Sequence, residues 1–275
     1  MRMAIFITIV CFMLSPAVYS AQNVEIWTYD TLPPLAYRDE QGMPTGVYIE
    51  IVKQAVARMP DYTVSFKVGP WSRVKKAAEQ GKAFAILPPY FHAHDWLTST
   101  EPKRPYIWPY SQPLFTQTDV VICNEKVLTT SRQKYPDDYR GLKFVMWRGD
   151  GRAGEAFFSM AKKSAIDIEL VNSIGNTIPN LLTERADCTV VSKIPFAWYK
   201  KQLQASSRYK KYDKKGVILK EVAVISHNAG YLGYTDINAD KNFPFKKDFV
   251  IKFDIEVYKM RTNGEIQSIV DRFVE

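Results

Sequence analysis

The chain has 275 residues, a formal net charge of +8 and 46% hydrophobic residues. Its length exceeds that of one compact core and suits two lobes of ordinary domain size. Beyond the N-terminal segment no apolar stretch is long enough for a membrane helix, so the composition excludes an integral membrane protein. The positive charge is compatible with anionic ligands or an anionic envelope surface.

The N-terminal segment has the layout of a secretory signal peptide. Arg2 precedes a charge-free run from Ala4 to Leu14, and the segment ends at Ser20. The apolar run is too short to span a bilayer comfortably. We therefore expect a signal peptide over residues 1–20, export to the periplasm and a mature charge of +7, which is +8 less Arg2. Export argues against nucleic acid as a partner.

Two stretches of the mature chain repeat one order of elements: strand, helix, strand, helix, strand. The first has predicted strands at 24–29, 62–68 and 83–87 and helices at 47–59 and 71–80. The second has strands at 143–147, 166–171 and 188–191 and helices at 151–162 and 176–185. Such alternation predicts α/β lobes with open, mostly parallel sheets flanked by helices. Ligands of these sheets sit beyond the carboxyl ends of the strands, so two facing lobes would enclose a cleft.

The later part of the chain adds simpler elements. Residues 200–215 are rich in lysine and tyrosine, and they predict a solvated helix end and loop. Short strands are predicted at 217–225 and 231–235, and two amphipathic helices at 245–274.

Three local patterns have competing interpretations. Cys123 and Cys188 remain after processing, and in an oxidising compartment they form a disulfide or stay as buried thiols. The segment 149–154 matches the G-x-G-x-x-G dinucleotide fingerprint, but export argues against a nicotinamide cofactor. His92, His94 and Asp95 could present metal ligands, yet no third histidine is near, and we expect a solvated loop. We therefore predict no metal and no cofactor.

Several short phrases, taken in their order and spacing, resemble the family 3 periplasmic solute-binding proteins, which include polar amino-acid receptors of ABC importers. The phrases are Leu32-Pro33-Pro34-Leu35, Gly42-Met43-Pro44-Thr45-Gly46, Pro70-Trp71-Ser72-Arg73, Tyr110-Ser111-Gln112-Pro113, Tyr139-Arg140-Gly141-Leu142-Lys143 and Arg185-Ala186-Asp187. The resemblance covers nearly the whole mature chain. It implies a type II periplasmic-binding-protein fold with two hinge strands near 115–120 and 231–235. Lobe 1 is then 21–116 and 231–275, and lobe 2 is 117–230.

The resemblance also implies ligand residues on both lobes. Trp71 matches the family's aromatic shelf, and Arg104 matches its carboxylate-binding arginine. In lobe 2 the loop Gly149-Asp150-Gly151-Arg152 leads into a helix N-terminus, where free N–H groups and the helix dipole favour an anion. The other predicted ligand residues are Asp30, Leu32, Pro89, Tyr90 and Ser192.

The chain departs from the family at two of these positions. Leu32 replaces a tyrosine, and Ser192 replaces the acid that holds the ammonium group of an amino acid. A buried amine without an acidic partner is costly to desolvate, unless Asp30 or Asp150 takes that role. We therefore expect a small carboxylate or another polar solute in place of a standard amino acid.

The predicted function is capture of a small polar, carboxylate-bearing solute by a monomeric periplasmic protein, which delivers it to a membrane ABC permease. A receptor that reports to a membrane sensor is an alternative with the same fold. A periplasmic dehydratase is another, and its general acid would have to be Glu101, Asp150 or His92. We expect binding without enzyme activity.

Overall fold

The computed structural model of the protein describes residues 20–91 and 96–274. Residues 1–19, which make up nearly all of the predicted signal peptide, lie outside this part of the chain, and so do His92, His94 and Asp95. Among the described residues, none of the helices combines the length and the apolar character that crossing a bilayer requires.

The strands and helices alternate along most of the chain. The strands are β1 (Gln22–Thr28), β2 (Thr31–Leu32), β3 (Ala36–Arg38), β4 (Pro44–Thr45), β5 (Tyr62–Val68), β6 (Ala85–Leu87), β7 (Ile107–Tyr110), β8 (Phe115–Asn124), β9 (Lys143–Trp147), β10 (Asp167–Val171), β11 (Cys188–Ser192), β12 (Leu219–Gly230) and β13 (Gly233–Thr235). The helices are α1 (Val47–Val56), α2 (Trp71–Glu79), α3 (Gly154–Lys162), α4 (Thr177–Leu182), α5 (Lys193–Ala205), α6 (Tyr209–Tyr212), α7 (Ala239–Asn242), α8 (Lys246–Thr262) and α9 (Glu265–Val274).

Lobe 1 is a five-stranded sheet in the order β5-β1-β6-β13-β7. Strands β5, β1 and β6 are parallel, whereas β13 runs antiparallel to both of its neighbours. Helix α1 packs on one face because Val47, Ile51 and Ala55 recur at helical spacing and are fully buried. Helices α8 and α9 share that core, and the rings of Phe249 and Phe253 stack within it.

Gly46 starts α1 at a position that a side chain cannot occupy. Its φ is +119°, and a Cβ atom there would lie 2.6 Å from the carbonyl carbon of Leu35. The loop after β2 therefore packs directly on the first turn of α1, which holds this loop beside the cleft.

Lobe 2 is a second five-stranded sheet, in the order β10-β9-β11-β8-β12. Strands β10, β9 and β11 are parallel, whereas β8 runs antiparallel to both of its neighbours, β11 and β12. Phe144 and Phe157 fill one face beneath α3, while Ile178, Leu181 and Phe196 fill the other beneath α4 and α5. The α/β lobes with sheets flanked by helices are confirmed. Each sheet nevertheless contains one strand that opposes the others, β13 in lobe 1 and β8 in lobe 2, because the strand that enters a lobe from a crossing runs away from the other lobe.

The chain crosses between the sheets twice, at 111–114 and at 231–232. The crossings lie side by side, since the Ser111 backbone N–H donates to the Leu232 carbonyl (2.9 Å) and the Leu232 N–H donates to Ser111 Oγ (2.9 Å). Phe115 then pairs with Gly230 at the start of the ribbon formed by β8 and β12. The predicted lobe boundaries, 116/117 and 230/231, fall beside these crossings.

The structure differs locally from the predicted elements. Residues 31–45 form the small antiparallel sheet β2-β3-β4, which was not predicted because its strands have only two or three residues. The lysine-rich segment is more helical than expected, because α5 continues to Ala205 and α6 follows after a short turn.

Cys123 and Cys188 face each other on β8 and β11, and their sulfur atoms are joined in a disulfide. Both residues are fully buried. They are separated by 65 residues, so the bridge closes most of lobe 2 into one covalent loop. Such a cross-link reduces the conformational entropy of the unfolded chain.

We expect reduction of this disulfide to lower the free energy of unfolding by up to about 4 kcal/mol, the chain-entropy value for a loop of this length. Urea unfolding with and without dithiothreitol measures the change. The double variant C123A/C188A is the control, because its unfolding must not respond to the reductant. Equal unfolding free energies of the oxidised and reduced wild type would contradict the expectation.

Candidate functional site

A cavity of about 530 Å³, here called the central cleft, lies between the two lobes. Lobe 1 contributes three side chains that are aromatic or apolar, namely Tyr29, Leu32 and Tyr90. Lobe 2 contributes mostly polar residues, namely Gln117, Asp119, Trp147, Asp150, Gly151, Arg152, Ser192 and Asn228. The cleft thus has an aromatic wall facing a charged, hydrogen-bonding wall.

The strand ends place these residues. Tyr29 follows β1, Trp147 ends β9, and Ser192 ends β11, so all three lie at the carboxyl ends of parallel strands. This is the edge at which open α/β sheets bind ligands. Gln117 and Asp119 instead come from β8, one of the strands that leads out of a crossing. The cleft therefore joins the sheet edge of each lobe to the hinge.

Arg152 is the centre of the polar wall. Its Nε donates to both carboxylate oxygens of Asp150, at 2.8 and 2.7 Å. Its Nη1 donates to Asp119 Oδ1 at 2.9 Å and also to Ser192 Oγ. Burial by itself lowers the pKa of Arg152, but the charges of Asp150 and Asp119 outweigh burial and raise it. The guanidinium therefore remains charged and is held in one orientation.

Asp119 is the most buried charge in the cleft, with 2% of its side chain exposed. Besides Arg152, its carboxylate accepts hydrogen bonds from Ser192 Oγ (2.5 Å), Ser226 Oγ (2.8 Å) and Asn228 Nδ2 (2.8 Å). A buried carboxylate needs this number of donors to offset its desolvation. Asp119 pairs with Ser192 across β8 and β11, so an acid lies directly opposite the position where the family's acid is missing.

One part of Arg152 remains available to a ligand. Its Nη2 forms no hydrogen bond with any residue in 20–91 or 96–274, and 15% of the side chain is exposed. Since Nε and Nη1 are fixed by carboxylates, Nη2 presents oriented donors toward the cleft. These donors suit a carboxylate or another oxygen acceptor.

Aromatic rings form the opposite wall and are supported from behind. The ring of Tyr29 lies 4.9 Å from that of Trp71, which lies 6.0 Å from Trp96. The Trp96 indole N–H donates to the Tyr90 carbonyl at 3.0 Å. Burial raises the pKa of Tyr90 to about 12 and that of Tyr29 well above its ordinary value. Both phenols are therefore neutral.

The structure brings together about half of the predicted ligand residues. Those in the central cleft are Leu32, Tyr90, Asp150, Gly151, Arg152 and Ser192. Asp30 lines an adjoining cavity and pairs with Arg38 at 2.8 Å. Trp71 stands behind Tyr29, and Pro89 is buried against Gly233. Gly149, at a φ of +79°, shapes the turn after β9 without lining the cleft.

Arg104 is exposed, in a segment where the Thr98 backbone N–H donates to the Arg104 carbonyl at 2.9 Å. It is not among the residues that line the central cleft. Its role in ligand binding stays a prediction, while the cation that the described residues place in the cleft is Arg152.

Five cleft residues were not predicted, namely Tyr29, Gln117, Asp119, Trp147 and Asn228. Two of them could have been predicted from strand position, because Tyr29 and Trp147 end predicted strands whose carboxyl ends should face a ligand. Asp119 could have been predicted as well, since it is a lone acid directly before the apolar run Val120–Cys123. Gln117 and Asn228 could be predicted as cleft residues only if the pairing of β8 with β12 were known.

The described residues contain no cluster of three or more histidine, cysteine, aspartate or glutamate side chains able to hold a metal ion. Of the candidate acids for a dehydratase, Glu101 is exposed and accepts from the Lys103 backbone N–H at 3.0 Å. Asp150 is committed to Arg152, and His92 lies outside the described residues.

We expect D119N to lower the free energy of unfolding by about 3 kcal/mol, because it removes one carboxylate from the buried guanidinium. E221Q is the matched control, since it breaks the exposed Lys193–Glu221 pair (2.9 Å). That change should cost less than about 1 kcal/mol. Chemical denaturation of both variants tests the difference, and equal effects would show that the buried pair is not the stronger one.

No protein-family model matches the sequence, and no curated protein matches it. Similar folds are found among solved structures. The extracellular-binding protein of a probable amino-acid ABC transporter from Bacillus subtilis is 15% identical, with a TM-score of 0.64 over 93% of this chain and 99% of that chain. The L-cystine solute receptor of Neisseria gonorrhoeae is 17% identical, with a TM-score of 0.62 over 93% of this chain and 94% of the receptor.

A sensor has a similar fold as well. A histidine kinase sensor domain with similarity to periplasmic binding proteins is 16% identical, with a TM-score of 0.62 over 92% of this chain and 96% of the domain. The TM-scores show that the folds are similar, whereas identities this low do not identify the ligand of this chain. The chain therefore has the two-lobed periplasmic-binding-protein fold that the resemblance implies.

Proposed function

We propose that the protein is a periplasmic solute-binding protein, which captures a small polar solute between its lobes and passes it unchanged to a membrane partner. The observation that carries this proposal is the central cleft, because both lobes supply side chains to it beside a hinge of two strands. A ligand that touches both walls binds the closed arrangement better than the open one. That difference in affinity is what drives closure.

The charges of the cleft suggest the chemistry of the solute. Arg152 contributes one positive charge, and Asp119 and Asp150 contribute two negative charges, so this group has a net charge of −1. A carboxylate would find donors at Nη2 of Arg152, but it would add to the negative charge. An ammonium group on the same solute would balance the negative charge that the carboxylate adds. The rings of Tyr29, Tyr90 and Trp147 also favour a nearby cation.

We therefore propose a carboxylate-bearing solute that also has a cationic group. Ser192 replaces an acidic residue of the family, and this replacement by itself argues against an amino acid. Asp119 and Asp150 lie in the same cleft and can take the place of that acid. An amino acid or an amino-acid derivative is consistent with this arrangement, because its two charges meet opposite charges in one cleft.

The membrane partner is proposed to be an ABC permease. A sensor is the second candidate, and the similar histidine kinase sensor domain favours it. The two are distinguished by co-purification of the ligand-loaded protein with detergent-solubilised membrane proteins. Recovery of a permease with its ATPase subunit supports import, whereas recovery of a kinase supports sensing.

We expect a thermal-shift screen against amino acids, small carboxylates, polyamines and sugars to identify a zwitterionic ligand. At one hundred times its dissociation constant, a ligand adds about 2.7 kcal/mol to the free energy of unfolding. The ligand should be recovered chemically unchanged after prolonged incubation, and mass spectrometry measures this. Conversion of the ligand into a product would contradict a binding function.

We expect W147A to weaken binding of that ligand at least tenfold, because the ring lines the cleft from lobe 2. W108A is the matched control, since Trp108 is 58% exposed and does not line the central cleft. Isothermal titration calorimetry measures both affinities. Equal affinities of W147A and wild type would place the ligand elsewhere and refute the proposed site.

A further inference from the structure

A second cavity, here called the side chamber, adjoins the central cleft between the lobes and has a volume of about 620 Å³. It shares Leu32 and Trp147 with the central cleft, so these two side chains stand where the cavities meet. The rest of its lining also comes from both lobes: Asp30, Thr31, Pro33, Tyr37 and Arg38 from lobe 1, and Asn172, Ser173, Ile174, Trp198 and Tyr199 from lobe 2.

Four of the twelve residues that line the side chamber are aromatic. The ring of Tyr37 lies 5.9 Å from Trp198, which lies 5.0 Å from Tyr199, and the first of these contacts joins lobe 1 to lobe 2. Pro33 and Ile174 add apolar surface. Such a surface gains more from an aromatic or apolar group than from water.

Polar groups occupy the remaining positions of the chamber. Asp30 and Arg38 form an ion pair at 2.8 Å with 34% and 44% of their side chains exposed. In the described part of the chain, the side chains of Thr31 and Asn172 form no hydrogen bond with another residue. They can therefore bond to a polar linkage, such as an amide, that enters the side chamber.

The continuity of the two cavities favours a ligand larger than a single amino acid. Complete sites for small molecules occupy about 300–1,000 Å³. The central cleft and the side chamber each lie within that range by themselves. A ligand confined to the central cleft would leave the aromatic surface of the chamber in contact with water, although both lobes build that surface.

We infer that the solute is elongated and spans both cavities: a charged head lies at Arg152, and an aromatic tail passes between Leu32 and Trp147 into the side chamber. The chemical class is a short peptide that contains an aromatic residue. This inference rests on the proposed function and narrows its ligand. The head group lies beside the charges of the cleft, the peptide linkage reaches Thr31 and Asn172 in the side chamber, and the tail packs against the rings of Tyr37 and Trp198.

The test compares the twenty free amino acids with dipeptides that join each of them to phenylalanine in either order. Calorimetry is expected to show at least one dipeptide that binds ten or more times tighter than both of its component amino acids. The variant T31W should reduce the affinity for that dipeptide at least tenfold, because the new ring fills the chamber. Thr31 is exposed and lies outside the central cleft, so binding of free amino acids should change less than twofold.

T63W is the matched control, because Thr63 is an exposed strand residue of the same lobe and lines neither cavity. It should leave both affinities unchanged. The inference is overturned if no dipeptide binds, if free amino acids bind as tightly as every dipeptide that contains them, or if T31W leaves dipeptide affinity intact. None of these results touches the proposed function, which fails only if the W147A comparison and the wider solute screen fail.

Discussion

The ion pair between Asp119 and Arg152 is the interaction on which the cleft depends. Asp119 belongs to a hinge strand, and Arg152 belongs to the loop before α3, so their contact fixes the loop relative to the hinge. A carboxylate with 2% exposure is costly to bury without such a partner. Through the same guanidinium, Asp150 is held in position. One charged group thus stabilises the hinge strand and the loop before α3, and it is also the group to which the proposed ligand would bind.

Most of the fold could be predicted because its helices and strands carry strong periodic patterns. The strand at 62–68 was predicted with its observed bounds, and α1 follows the spacing of Val47, Ile51 and Ala55. The sheet of β2, β3 and β4 could not be predicted, since strands of two or three residues show no period. Its position depends on the contact between Gly46 and Leu35, which local sequence does not reveal.

The site was harder to predict because its key pairings are distant in sequence. Asp119 and Ser192 are opposite each other only because β8 runs antiparallel to β11, and the sequence predicted no such pairing. Asp150 and Arg152 could be placed near the cleft from local sequence, since a loop between a strand and a helix is a local feature. Trp71, which the resemblance predicts as an aromatic shelf, does not line the central cleft, but its ring contacts that of Tyr29, which does. The order of the two rings in the wall depends on packing that local sequence does not reveal.

The paired crossings at Ser111 and Leu232 have a mechanical consequence. Two extended segments tied to each other by reciprocal backbone and hydroxyl hydrogen bonds bend together as one flat ribbon. A flat ribbon bends easily about an axis in its plane and resists twisting, so we expect the two lobes to move relative to each other mainly by one bending motion. A ligand of the proposed kind would then need to stabilise only one end of that motion.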